Sequence, residues 1–192
     1  MLLARHGETD WNRERRWQGH ADRPLNTRGR QQAGDLSEQL ASFRLDAIYA
    51  SDLRRAIATA AAVAEVRGLK VTERQQLREV DVGSWSGLTG SEVRERDPQG
   101  LALWERGETG WSDGETHADM RERVLAEVHR IGRLHVAETV LIVSHGGPIR
   151  AVLAEASADG TRTERGQAGL PANGEVSSVE IEAGRLARLQ FP

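Results

Sequence analysis

Three features of the 192-residue sequence predict an α/β fold, a parallel-rich sheet with helices on both faces. Short apolar runs alternate with segments of helical periodicity, as in successive strand–helix units. Thr139-Val140-Leu141-Ile142-Val143 is an almost unbroken apolar run, the signature of a strand buried on both faces in a parallel sheet. Val176–Ile181 and Arg185–Phe191 alternate apolar and polar residues around Ala183-Gly184, which predicts a closing hairpin.

The elements follow in order. Met1-Leu2-Leu3-Ala4 is a buried strand ending in Arg5-His6-Gly7-Glu8-Thr9. Trp11 to His20 is polar, leads to turn residues near Pro24, and is expected to be a loop. Ala33, Leu36, Leu40 and Phe43 space a helix from Thr27 to Phe43, with Thr27 as its cap. Leu45–Ala50 is a second strand, and Ser51 or Asp52 caps an alanine-rich helix from Leu53 to Val66, closed by Gly68. Lys70-Val71-Thr72 is a short third strand. Leu77–Gly87 is irregular, broken at Gly83 and Gly87, and Leu88 to about Gly114 predicts short helices covering one end of the sheet. Thr116, with Asp119 as a capping-box partner, starts a helix to about His135 with Met120, Val124, Val128 and Ile131 on one face. Pro148 fits the first turn of a last helix ending near Ala156. Ser157–Gly174 is glycine-rich without periodicity, a loop or an irregular excursion.

Length favours one domain over residues 1–192, with the covering segment at about 84–115. A net charge of −3 gives no attraction to nucleic acid or to an anionic membrane, and no apolar run approaches spanning length. With no cysteine there is no disulfide framework and no thiolate nucleophile; cytoplasm is the expected compartment. Lys70 is the sole lysine, so arginine carries nearly all the positive charge.

The chemistry lies at strand ends, where open α/β sheets bind ligands. Arg5 offers a planar donor fork for phosphate or carboxylate, and His6 is a candidate base, metal ligand or nucleophile. Gly7 is read as letting backbone approach a ligand closely. The central strand delivers a second His-Gly in Ser144-His145-Gly146-Gly147, followed by a helix start suited to an anion. Arg55 sits in the first turn of the helix after the second strand, where a guanidinium opposes the helix dipole unless an anion lies nearby. Neighbouring Arg54 is expected to be a surface residue. Metal catalysis is disfavoured: there is no His-x-x-x-His pair, and arginines beside His6 would repel a cation. His20, His117, His129 and His135 are expected on the surface, with His117 within reach of the site mouth. Trp85, Trp104 and Trp111 divide between core and entrance.

These blocks resemble the histidine phosphatase superfamily in its phosphoglycerate-mutase-like branch. The match comprises Arg5-His6-Gly7-Glu8-Thr9 with Asn12, Ser51–Ala56 with Thr59-Ala60, Leu77-Arg78-Glu79 with Gly83 and Gly87-Leu88, and Ser144–Gly147, in the family's order. The resemblance implies a three-layer α/β/α sandwich around a mostly parallel sheet, and no cofactor or metal. It makes His6 the nucleophile that carries phosphohistidine, with Arg5, Arg55 and His145 around the transferring phosphoryl group and Glu79 as proton donor. Asn12, Thr9, Gly19 and the Gly147 backbone complete the expected substrate-binding set, while Glu8 supports the loop.

A short covering segment and the Gly-Gly-Pro after His145 resemble the phosphatase members more than the mutases. The expected activity is therefore a metal-independent phosphomonoesterase acting on small phosphorylated metabolites, such as sugar phosphates, glucosyl-3-phosphoglycerate or α-ribazole phosphate. Mutase-type phosphoryl transfer and a non-catalytic phospholigand-binding module are the alternatives. Attack by neutral imidazole predicts a rate that falls on the acid side, near the ordinary histidine value of ~6.5. The closing hairpin offers an edge for a homodimer.

Overall fold

The computed structural model describes residues 1–157, 170–182 and 184–189. Among them, six strands and seven α-helices run in the order β1 (Leu2–Arg5), α1 (Asp10–Arg13), α2 (Thr27–Gln39), β2 (Ala47–Ala50), α3 (Arg54–Glu65), β3 (Val71–Glu73), α4 (Gly90–Arg96), α5 (Pro98–Glu105), α6 (His117–Leu134), β4 (Val140–Ser144), α7 (Gly146–Ala156), β5 (Val176–Glu182) and β6 (Arg185–Leu189). Most of the stretch expected to be irregular, residues 158–169, lies outside the described residues, as do Ala183 and Phe191 of the hairpin.

The strands form one sheet in the order β3-β2-β4-β1-β5-β6. The first four are mutually parallel and the hairpin adds two antiparallel pairings. Alternation along the central strands assigns each residue to a layer. Leu2, Ala4, Ile48, Ala50, Leu141 and Val143 pack with Leu36 and Leu40 from the α2 segment and with Ala56, Ala60 and Val63 of α3. Leu3, Tyr49, Val140 and Ile142 pack on the other face with Met120, Val124 and Ile131 of α6 and Ile149 and Val152 of α7. This is the expected three-layer sandwich. The covering helices α4 and α5 join the second layer through Val93 and Leu101, beside Trp85 and Trp111.

Several boundaries differ from expectation. The Trp11–His20 loop begins in a one-turn helix, because Thr9 and Asn12 form a reciprocal capping box. Asn26, not Thr27, caps α2 by accepting from the Gly29 amide, and the helix ends at Gln39 rather than Phe43. Neither Ser51 nor Asp52 caps α3: Leu53 holds the N-cap position without a side-chain bond, and Asp52 pairs with Arg78 instead. Asp119 meets the hydroxyl of Thr116 rather than its backbone amide.

Gly7 is required by a contact that the sequence did not announce. A Cβ there would stand 2.3 Å from the carbonyl oxygen of Gly29, and one on Gly29 would stand 2.1 Å from that of Glu8. The close approach is between the loop after β1 and α2. Ala is a better helix former than Gly by about 1 kcal/mol, but a backbone clash of this kind costs about 1–3 kcal/mol. Gly29→Ala is therefore expected to be destabilising, measured as a lower urea midpoint; a stabilised variant would contradict the contact.

Candidate active site

The site follows from the pairing of β1 with β4. Arg5 lies opposite Ser144 in a parallel register, so His6 and His145 leave adjacent strands at the same edge. The His6 amide donates to the Ser144 carbonyl at 3.0 Å. Both imidazoles are buried, with ring centroids 5.0 Å apart.

Hydrogen bonding assigns the protons on both rings. His6 Nδ1 is 2.7 Å from the Gly7 carbonyl, an acceptor, so Nδ1 carries the hydrogen and Nε2 keeps its lone pair. Gly7 is held in turn by its amide donating to Thr59 Oγ1 at 3.0 Å. His145 Nδ1 accepts from Arg55 Nε at 3.2 Å, which leaves the hydrogen on Nε2. Among the described residues, the buried side-chain nitrogens without a partner are Arg5 Nε, His145 Nε2 and Arg67 Nε. The first two belong to the same small cluster around His6. Unpaired buried donors are costly, and here both are suited to an anion.

Arg55 is 1% exposed and gives three of its five N–H donors to the protein. Besides His145, it donates to the carbonyls of Ala21 at 2.7 Å and Gly19 at 2.9 Å. Those carbonyls supply the negative partners that its place in the first turn of α3 lacks. Burial lowers its pKa to about 10, opposed by Glu79, and it stays charged at neutral pH. Arg5 donates to the Pro171 carbonyl at 2.7 Å, and burial lowers its pKa in the same way.

Burial first, then the charges of Arg55 and Arg5, push His6 well below the ordinary histidine value. Burial and Arg55, with His6 and Arg5 behind them, do the same to His145. The acid limb expected near ~6.5 must therefore lie well below it for the free protein. Both rings are neutral in the folded chain where the unfolded chain has begun to protonate. As pH falls below about 6.5 the unfolded state binds more protons, so stability is present above that value and lost below it. Nitrogen-15 NMR of the imidazoles should show both rings neutral through that range. A midpoint at or above it would contradict the assigned burial.

Glu79 reaches the same cavity from the loop after the 3-10 turn Gln75–Leu77. Its carboxylate accepts from its neighbour Val80 at 2.9 Å and from the Gly147 amide at 3.2 Å. Gly147 lines the cavity as expected, and its amide holds the Glu79 carboxylate there. A Cβ on Gly147 would lie 2.3 Å from that carboxylate, so glycine here makes room for Glu79.

The cavity has a volume of about 140 Å3, close to one that holds a benzene-sized molecule. Asn12 and Gly19 line it as expected. Thr9 does not: it is fully buried, and its hydroxyl caps α1 and bonds Gln18. Trp17, Trp104 and Trp111 form an aromatic wall, with Trp17 edge-on to Trp104 at 5.1 Å. Trp17 is set there by paired backbone bonds to Gly87 and Leu88 of the covering segment. His117 reaches the mouth, tilted against Trp111 at 5.3 Å. Arg16, Trp17 and Arg150 were absent from the expected set. Arg150 follows His145 on the opening turns of α7, a placement the sequence does carry. His20, expected on the surface, holds the Glu79 carbonyl at 2.9 Å.

The profile of the histidine phosphatase superfamily (branch 1) matches residues 1–191. The chain belongs to the histidine phosphatase superfamily. Phosphoserine phosphatase 1 of Hydrogenobacter thermophilus is 36% identical over 154 residues, covering 79% of this chain and 73% of that protein. Glucosyl-3-phosphoglycerate phosphatase of Mycolicibacterium vanbaalenii is 36% identical over 163 residues, covering 80% and 72% respectively. The solved structure of Bacillus stearothermophilus YhfR superposes with a TM-score of 0.87 at 34% identity, over 97% of this chain and 93% of that one. By family and by these relatives, this histidine phosphatase is a phosphoric monoester hydrolase.

Proposed function

We propose that the protein hydrolyses small phosphorylated metabolites without a metal ion, through phosphohistidine at His6. In the first half-reaction the Nε2 lone pair of His6 attacks phosphorus as the bond to the leaving oxygen breaks. Arg5, Arg55 and His145 Nε2–H stabilise the charge on the non-bridging oxygens. Glu79 gives its proton to the leaving oxygen and then, as carboxylate, takes a proton from the water that attacks the phosphohistidine. Phosphate leaves and neutral His6 is restored.

The observation that carries this reading is the pair of unpartnered buried donors, Arg5 Nε and His145 Nε2, grouped with an imidazole whose lone pair is held at Nε2. A hydrolytic substrate needs only its phosphoryl group fixed, and the aromatic wall accommodates an apolar part of the leaving group. The relatives named for phosphoserine and glucosyl-3-phosphoglycerate support a small metabolite as substrate. Among the described residues no helix is long and apolar enough to cross a membrane. That, with the lack of cysteine, supports action in the cytoplasm on soluble compounds.

Turnover of p-nitrophenyl phosphate in excess EDTA tests the reading. Full activity is expected; dependence on an added divalent ion would overturn it. With labelled 3-phosphoglycerate, free phosphate should form faster than 2-phosphoglycerate, and the reverse order would indicate a mutase.

A further inference from the structure

We infer that Arg123, braced by Glu115, is the positioning residue that sets Glu79 for proton transfer; this rests on the role proposed for Glu79. Arg123 lies on α6, outside the cluster of imidazoles and guanidiniums. Its side chain meets five acceptor contacts. Nε and Nη2 form a two-point pair with the Glu115 carboxylate at 2.5 and 2.7 Å. Nη1 donates to the carbonyls of Gln76 and Arg78 at 2.8 and 2.9 Å, and Nη2 to that of Glu79 at 2.9 Å. A guanidinium has five N–H donors in a fixed fork, so the whole complement is used. Three of the five bonds grip the backbone of the 3-10 turn and of the loop that follows it and carries Glu79.

Glu115 adds a second attachment to that loop. Its amide donates to the Asp81 carbonyl at 2.9 Å, and its carboxylate accepts from the Asp81 amide at 3.4 Å. The His20 ring nitrogen also bonds the Glu79 carbonyl. The main chain on both sides of Glu79 is thus fixed, although the loop has little regular structure of its own. Lysine cannot replace this fork: a point charge with three donors has no planar geometry to span a carboxylate and three carbonyls. A misplacement of ~1 Å at a catalytic group costs about 100-fold, and general-acid assistance is worth about 100- to 10,000-fold.

If Arg123 acts through Glu79, its loss weakens only the step in which the leaving oxygen needs a proton. Phenyl phosphate and p-nitrophenyl phosphate separate that step, because phenolate, with a conjugate acid near pKa ~10, needs protonation far more than nitrophenolate does. The readout is the ratio of kcat/KM for phenyl phosphate over p-nitrophenyl phosphate. Partial unfolding scales both values alike and leaves the ratio unchanged. Arg123→Lys should lower the ratio by roughly 10-fold or more, as should Glu115→Gln, which serves if the first variant does not fold. On a Glu79→Gln background, where the ratio is already low, Arg123→Lys should lower it no further. An unchanged ratio in both single variants, or a full second drop on the Glu79→Gln background, overturns the inference. If Glu79→Gln alone leaves the ratio at its wild-type value, the proton-donor role itself fails, and the role of Arg123 with it.

Discussion

His6→Ala is expected to reduce turnover of p-nitrophenyl phosphate by roughly 10⁴- to 10⁶-fold, the scale seen when a covalent nucleophile is removed. His145 is the imidazole packed against His6, and its Nδ1 is bound to Arg55 while its Nε2 carries hydrogen. Neither nitrogen offers a lone pair toward phosphorus. The anion-binding groups survive the substitution, because Arg5, Arg55 and His145 are held by the carbonyls of Pro171, Gly19 and Ala21 and by each other, not by His6. The variant should therefore still be protected thermally by inorganic phosphate. Turnover within tenfold of wild type would remove His6 from the mechanism. Loss of both turnover and phosphate protection would indicate collapse of the site rather than loss of a nucleophile.

Arg55→Met should have the second largest effect, about 1,000-fold on kcat/KM, as for loss of an arginine that stabilises a transferring phosphoryl group. The variant also tests the electrostatics. With the Arg55 charge gone, the imidazoles of His6 and His145 should titrate nearer their ordinary value, though burial, the larger cause, keeps them below it. The carbonyls of Gly19 and Ala21 lose their donor, at about 1–3 kcal/mol for each left buried and unpaired. Stability should fall together with activity. Imidazole titrations unmoved by the substitution would contradict the placement of the Arg55 charge beside the two rings.

The fold was legible where local pattern and burial agree. In β4, Val140 and Ile142 face one layer and Leu141 and Val143 the other, so an unbroken apolar run was a sound sign of a central strand. His6 and His145 were legible because each directly follows a strand, and parallel pairing brings strand ends together. What escaped the sequence depends on distant partners or on near-ties. Asn26 and Thr27 are both good caps, and only the path of the chain from Glu8 selects Asn26, whose side chain also binds the Glu8 carboxylate at 2.8 Å. Gly7 and Gly29 meet across a layer contact that no local pattern announces. Arg123 grips a carbonyl 44 residues away, and its helix periodicity marks it only as polar. The acid shift of both imidazoles follows chiefly from burial, whose extent shows only in the folded chain, although Arg5 and Arg55 beside them were expected.

The most direct measurement is a rapid acid-free quench of the wild-type protein with phosphorus-32-labelled p-nitrophenyl phosphate, followed by peptide mapping. The label should be stable to base and lost in acid, as for a phosphoramidate, and should map to the peptide containing His6. A protein that turns over substrate yet carries no label, or carries it on His145 or on any residue other than His6, would contradict covalent catalysis at the end of β1.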